Sequence, residues 1–278
     1  MTGALPRPST PQGRAGLDAL LTQPREGLIG LDFDGTLSPI VSHPADARAH
    51  PGAVPALTRL ARSVGTLAII TGRPAAEAVE LGGLEAVPGL IVLGHYGFQR
   101  WQDGELTSPE PPPAIKAASE ALPTLLRDAG APDGTRIEEK TQAVAVHTRG
   151  TAAPEAALAR IREPLTKLAT DLGLAAEPGR LVIELRPRGM DKGVALKDLV
   201  RETTARSVIF AGDDLGDLAA FAAVRELRAA GTPGCAVASA SSESPQVAAA
   251  ADLVVDGARG VVEFLDAVAD HLSPSPAR

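Results

Sequence analysis

Short aliphatic runs that each stop at a loop carrying glycine, aspartate or threonine constrain this chain most. GLIGLD (27–32), TLAII (66–70), GLIVLG (89–94) and SVIFA (207–211) are apolar at successive positions and short. That is the pattern of strands covered on both faces. Between them, PGAVPALTRLARS (51–63) spaces Val54, Leu57, Leu60 and Ala61 at helical intervals, and Pro74 suits the first turn of a helix running to about Leu81. Strand and helix in alternation predict an α/β fold with a parallel, Rossmann-like sheet, whose ligands gather beyond the carboxyl ends of the strands.

The rhythm changes after Trp101. The Asp103-Gly104 pair predicts a hairpin, and PEPPP (109–113) a stiff connector. From there the pattern reads helix (114–129), strand (135–140), strand (143–148), helix (154–172), strand (174–177) and strand (181–186). This αββαββ duplication predicts an antiparallel sheet with helices on one face. The α/β rhythm then returns with a helix from Lys192, the strands SVIFA, CAVAS and DLVV with helices between them, and a last helix from Arg259. The expected plan is a flexible tail (1–15), a first core segment (16–108) with a short helical patch over 17–21, an inserted α+β domain (109–188), a second core segment (189–272) and a flexible tail (273–278).

Composition narrows the function. With 44% hydrophobic residues the chain can build a full core, and with 3% aromatics Val, Leu, Ile and Ala must fill it. Lys and Arg number 27 against 34 Asp and Glu, a net charge of −7, which argues against nucleic acid or an anionic membrane as a partner held by bulk charge. One cysteine, Cys235, forms no intrachain disulfide and excludes zinc frameworks built from several cysteines, which suits a reducing cytoplasm. The first 15 residues lack the apolar stretch of a signal peptide, and no later run approaches a transmembrane length, so the expectation is a soluble, unexported protein.

Four loops carry the candidate chemistry. Asp32-Phe33-Asp34-Gly35-Thr36-Leu37-Ser38-Pro39 places two carboxylates two residues apart at a strand end, where one can attack phosphorus while the other moves the proton of the leaving oxygen. An isolated D-x-D is equally a turn cap; the longer string is the more specific signal. Thr71-Gly72-Arg73 opens a helix after an apolar strand, offering a hydroxyl and backbone N–H groups to an anion, or simply capping the helix. Lys192 opens a helix after RPRGMD, where a cation gains nothing from the helix dipole. Gly212-Asp213-Asp214-Leu215-Gly216-Asp217 packs three acids into five residues, which repel one another unless a hard cation such as Mg²⁺ joins them or they decorate a helix start.

Taken in order, these loops resemble those of the haloacid dehalogenase (HAD) superfamily of phosphatases, from about 27 to 267 outside the insert. The insert is similar to the αββαββ caps of sugar phosphatases in that superfamily. DFDGTLSPI, ITGRP, IEEKTQAVAVHTR, LVIELRPRGMDKG and FAGDDLGD most resemble the trehalose-6-phosphate phosphatase family. The resemblance implies that Asp32 is the nucleophile and Asp34 the general acid/base, that Thr71, Gly72 and Lys192 bind the phosphoryl oxygens, and that Asp32, Asp34 (through its backbone oxygen) and Asp213 hold Mg²⁺. It further implies that Asp214 and Asp217 orient metal waters or Lys192, and that Glu138, Lys140 and Glu184 contact sugar hydroxyls of a small-molecule sugar phosphate. Alternation along a strand puts Glu138 and Lys140 on one face, and Glu184 and Arg186 on one face of another strand; a solvent-exposed charge ladder has the same pattern. The chain differs from the family in reading Gly94-His95-Tyr96-Gly97 for G-N-H-G, and Gly216 and Leu218 for Thr and Glu in the fourth loop. The competing functions are hydrolysis of another sugar or glycoside phosphate and an inactive regulatory domain.

Overall fold

The computed structural model describes residues 5–240 and 245–273, and divides into two compact units: 1–108 with 191–278, and 109–190. In chain order the first unit begins with α1 (Pro11–Thr22), β1 (Gly27–Leu31), α2 (Ala53–Ala61), β2 (Thr66–Ile70), α3 (Ala75–Gly82), β3 (Ile91–Gly94), β4 (Gln99–Gln102) and β5 (Glu105–Thr107). The second unit holds α4 (Pro113–Asp128), β6 (Arg136–Lys140), β7 (Ala143–His147), α5 (Pro154–Asp171), β8 (Leu174–Gly179) and β9 (Val182–Pro187). The first unit then resumes with α6 (Lys192–Thr203), β10 (Ser207–Gly212), α7 (Leu218–Ala229), β11 (Gly234–Ser239), α8 (Pro245–Ala250), β12 (Leu253–Val255) and α9 (Gly257–Leu272).

The large sheet runs β12-β11-β10-β1-β2-β3-β4-β5, parallel from β12 to β3, with the β4–β5 hairpin added antiparallel at the edge. Alternation sorts its side chains into two apolar layers. Ile29, Leu31, Leu67, Ile69, Ile209 and Ala211 join residues of α2, α3 and α9, whereas Leu28, Ala68, Ile70, Val208 and Phe210 join α6, α7 and α8. Both faces being covered is why the strands read as unbroken aliphatic runs. The second unit's sheet, β6-β7-β9-β8, is antiparallel throughout, and Val144, Val146, Ile183 and Leu185 on one face pack with Ile115, Leu122, Leu158, Ile161 and Leu165 of α4 and α5.

The expected tail over 1–15 needs correction. Residues 11–15 are the first turn and a half of α1, and Ser9-Thr10-Pro11 is a helix start: the Thr10 hydroxyl accepts from the Gly13 N–H at 3.0 Å, and Pro11 occupies the first position, where its missing N–H is harmless. Ser9 donates twice to the Asp252 carbonyl, from its N–H at 2.7 Å and its hydroxyl at 2.9 Å, and the Thr10 hydroxyl also bonds the Asp252 carboxylate. Residues 1–4 and 274–278, the rest of the expected tails, lie outside the described residues. Among the described residues no helix is long and apolar enough to cross a membrane.

Candidate active site

The strand order reverses at β1, whose neighbours are β10 on one side and β2 on the other. Their carboxyl ends are in register, Leu31 pairing with Ala211 and with Ile69, and the Asp32 N–H donates to the Ala211 carbonyl at 2.9 Å. The loops at 32–38, 71–74 and 212–217 therefore leave the sheet side by side, at the switch point where α/β sheets bind ligands. Lys192 reaches the same place from the start of α6, whose cap is the Asp191 carboxylate accepting from the Val194 N–H at 2.8 Å.

The structure brings Asp32, Lys192, Asp213 and Asp217 together, all buried. The Lys192 ammonium lies 2.8 Å from Asp32 Oδ1 and donates to Asp217 Oδ1 at 2.7 Å. The other Asp217 oxygen accepts from the backbone N–H groups of Asp213 at 2.9 Å and Asp214 at 3.1 Å, while the Asp214 carboxylate accepts from the Asp217 N–H in return. Asp214 and Asp217 thus shape their own loop, and Asp217 fixes the lysine. Asp213 Oδ1 accepts a long hydrogen bond, 3.3 Å, from Thr36. Gly35 must be glycine on two counts: its φ is +71°, and a Cβ there would collide with the Asp213 carboxylate. The Ser239 hydroxyl, donating to the Gly35 carbonyl at 2.7 Å, holds this turn from β11.

The charges are unbalanced. Burial, opposed by Lys192 and reinforced by Asp217, Asp214 and Asp213, holds the Asp32 carboxyl well above its ordinary 3.8. Burial and the neighbouring Asp217 and Asp214 push Asp213 up to about 7, and burial pushes Asp217 up to about 6 against the pull of Lys192. Burial alone would lower the Lys192 ammonium, but Asp217 and Asp32 outweigh it and hold the group well above 10.5. One ammonium does not neutralise this many buried acids, so the cluster favours a further cation. Oxygens of Asp32, Asp213 and Asp217 lie within 4.8 Å of one another. With both Asp217 oxygens occupied, the carboxylates left for a metal are those of Asp32 and Asp213, a hard-oxygen set that fits a hard divalent ion.

Asp34, two residues on, stays out of this cluster: its half-exposed carboxylate is held by Arg73, whose Nε and Nη2 donate to Oδ2 at 2.6 Å and Oδ1 at 2.8 Å. Thr71 is buried, and its hydroxyl accepts from the Arg73 N–H at 3.2 Å, a turn within the loop rather than a cap on α3. The partly exposed Gly72 stands between them. The Gly94-His95-Tyr96-Gly97 loop braces this turn, the His95 N–H donating to the Arg73 carbonyl at 3.0 Å and the Tyr96 N–H to the Thr71 carbonyl at 2.9 Å. His95 and Tyr96 adopt φ of 47° and 58°, left-handed values that cost non-glycine residues about 1–3 kcal/mol each and persist only where the surroundings impose them. Sequence reasoning gave Arg73, Thr36, Ser239 and Tyr96 no role, although Arg73, Thr36 and Tyr96 each stand inside a loop motif it quoted: Thr71-Gly72-Arg73, the string from Asp32 to Pro39, and Gly94-His95-Tyr96-Gly97.

In the second unit the sheet face opposite the helices is polar over a floor of Ala143, Ala145 and Ala175. Register sets Glu138, Ala145, Glu184 and Glu177 in one row across the four strands. Lys140 donates to Glu184 Oε2 at 2.5 Å, Glu138 bonds the His147 ring at 2.6 Å, and Arg186 lies 3.8 Å from Glu184 and 3.7 Å from Glu177. Arg149 is exposed just beyond β7.

The chain matches the trehalose-phosphatase family over residues 30–258. It is 32% identical over 272 residues to the trehalose-phosphate phosphatase of Mycobacterium avium (strain 104), covering 91% of this chain and 66% of that protein. To the trehalose-phosphate phosphatase of Mycobacterium marinum (strain ATCC BAA-535 / M) it is 35% identical over 267 residues, covering 91% of this chain and 64% of that protein. The chain thus spans just under two thirds of the length of these relatives. The fold is shared with the Aspergillus fumigatus trehalose-6-phosphate phosphatase in crystal form 3, at a TM-score of 0.72 and 24% identity over 95% of this chain and 99% of that one. With its family motifs at the switch point of a parallel sheet, this chain belongs to the trehalose-phosphatase family.

Proposed function

We propose that this protein is a cytoplasmic, Mg²⁺-dependent phosphatase that hydrolyses trehalose 6-phosphate to trehalose and phosphate through an aspartyl-phosphate on Asp32. The observation that carries the reading is the buried Asp32–Lys192–Asp217 triplet beside Asp213, set at the carboxyl ends of β1 and β10 in a chain of this family. The lone, buried Cys235 is what supports a reducing compartment.

The chemistry follows from the residues. Asp32 attacks the phosphorus; the bond to the sugar oxygen breaks, its electron pair stays on that oxygen, and the oxygen takes a proton from the Asp34 carboxyl. Water then attacks the aspartyl-phosphate and gives its proton to Asp34; the bond to Asp32 breaks, releasing phosphate and restoring both carboxyls. Lys192, oriented by Asp217, and the Thr71-Gly72 turn bind the phosphoryl oxygens. Mg²⁺, held by the Asp32 and Asp213 carboxylates and the Asp34 carbonyl, would neutralise charge on the transferring group. Glu138, Lys140 and Glu184 recognise sugar hydroxyls: the Lys140–Glu184 pair and Glu138, bonded to His147, lie on one face above an alanine floor and offer donors and acceptors to a polyhydroxylated ligand.

The test is phosphate release, with Mg²⁺ and after chelation, from trehalose 6-phosphate, glucose 6-phosphate, sucrose 6-phosphate, mannosyl-3-phosphoglycerate and glucose 1-phosphate. The expected result is metal-dependent release with a strong preference for trehalose 6-phosphate. Preference for a different sugar would keep the mechanism and overturn the substrate, and no release from any would favour a regulatory domain, against which the presence of Asp32, Asp34 and Lys192 now argues.

A further inference from the structure

Arg73 has no part in the chemistry above, yet it is among the most constrained side chains near the site. Its side chain is 10% exposed, against 46% for Asp34. Beyond the two bonds to Asp34, Nη2 donates to the Pro44 carbonyl at 2.9 Å, Nη1 pairs with Glu77 one turn into α3, and the guanidinium carbon lies 5.8 Å from the Phe33 ring centre. Burial alone would favour losing the charge, but Asp34 and Glu77 overcome it and keep the guanidinium cationic.

A carboxylate two residues from Asp32 has strong competing attractions: the Lys192 ammonium, and any cation held by Asp32 and Asp213. Asp34 takes neither. Lys192 is engaged by Asp32 and Asp217, and Asp34 is absent from the group of carboxylates converging within 4.8 Å. Two parallel N–H···O bonds from a planar fork fix both the position and the plane of a carboxylate, which a single ammonium contact does not. The fork is itself held at Glu77 and Pro44, so its aim is set before any ligand arrives.

We propose that Arg73 is a positioning residue that fixes the place and plane of the Asp34 carboxyl, apart from the Asp32 and Asp213 carboxylates that would hold a cation, and so sets the point from which Asp34 passes a proton to the leaving oxygen once the fork releases one of its oxygens. The proposal rests on the phosphatase reading and adds a residue to it. Losing this role affects the step in which the leaving oxygen needs a proton, so the damage depends on the leaving group. A sugar oxygen leaves poorly without a proton, whereas p-nitrophenolate leaves without one.

The experiment compares wild type, Arg73→Lys and Arg73→Ala on trehalose 6-phosphate and p-nitrophenyl phosphate, with Mg²⁺ affinity measured by calorimetry. Arg73→Ala is expected to lose roughly 10²-fold in kcat on the sugar phosphate, within the range of general acid catalysis, with KM changed less than about threefold and the aryl substrate affected less than about fivefold. Arg73→Lys, which keeps the charge but not the fork, should fall between and guards against a folding failure in the alanine variant. Mg²⁺ should bind as tightly or more tightly, since the freed carboxylate adds a ligand. Equal losses on both substrates, or weaker Mg²⁺ binding, would overturn the proposal while leaving the phosphatase reading intact. A wild-type protein inactive on both substrates would overturn the two together.

Discussion

Lys192 and Asp32 form a buried pair whose members have opposite consequences for stability. Removing the lysine leaves Asp32 and Asp217 facing each other without a counter-charge. Breaking a buried pair from one side in this way costs about 3–5 kcal/mol. Removing the charge of Asp32 instead relieves burial and repulsion, and Lys192 keeps its bond to Asp217. Lys192→Ala should therefore lower the urea midpoint of the metal-free protein markedly, whereas Asp32→Asn should leave it unchanged or higher and still abolish phosphate release. Turnover retained in Asp32→Asn would remove it from the nucleophile's role. Asp32, Asp34 and Asp213 were legible in the sequence: Asp32 and Asp213 stand directly after the apolar runs 27–31 and 207–212, and Asp34 two residues beyond Asp32, so their places at strand ends are a local property. The Arg73–Asp34 pair was not, because it joins positions 39 apart and depends on two loops leaving adjacent strands.

At the scale of elements, α1 shows how a helix is fastened to a sheet. Gly16 lies so close to the backbone of Gly234 that a Cβ would collide with it, which lets α1 lie directly on β11. Asp252 completes the fastening by accepting from Thr10, Arg228 and the Ala236 N–H, the last at 2.8 Å. Although burial alone would raise the Asp252 carboxyl, the bonds from Arg228, Thr10 and Ala236 hold it below its ordinary 3.8. A carboxylate lowered on folding contributes stability above its unfolded pKa and loses it as pH falls through the folded value. Asp252→Ala should thus cost about 2–4 kcal/mol at pH 7, measured by urea unfolding, and the gap between variant and wild type should close below about pH 3.8. A gap that persists in acid would assign the loss to packing. The sequence reading missed this element's start because Ser, Thr and Pro mark loops and helix starts alike; the partner that decides between them, Asp252, lies 242 positions away. The second unit's face makes a different prediction. Glu138→Ala should raise KM for trehalose 6-phosphate about tenfold or more, the loss of one charge-assisted hydrogen bond, while p-nitrophenyl phosphate is hydrolysed as by wild type. Equal losses on both substrates would remove Glu138 from sugar recognition.

Across the whole molecule the two units bury their apolar residues by different rules, and the sequence carries both. Strands covered on both faces read as continuous aliphatic runs, whereas β6 reads Arg-Ile-Glu-Glu-Lys, so the switch from β3 to β6 announces a second kind of sheet with one polar face. Fold class, the order of the elements and the four acid, hydroxyl and lysine loops were determined by the sequence alone, because periodicity and turn chemistry act over a few residues. Tertiary structure alone decided which of those groups meet. It set Lys192 between Asp32 and Asp217, gave Asp34 to Arg73, laid the β4–β5 hairpin on the edge of the large sheet and turned a loop-like N-terminus into a docked helix. Those pairings depend on strand order and register, which place residues far apart in the chain within hydrogen-bonding distance, and no local pattern encodes them.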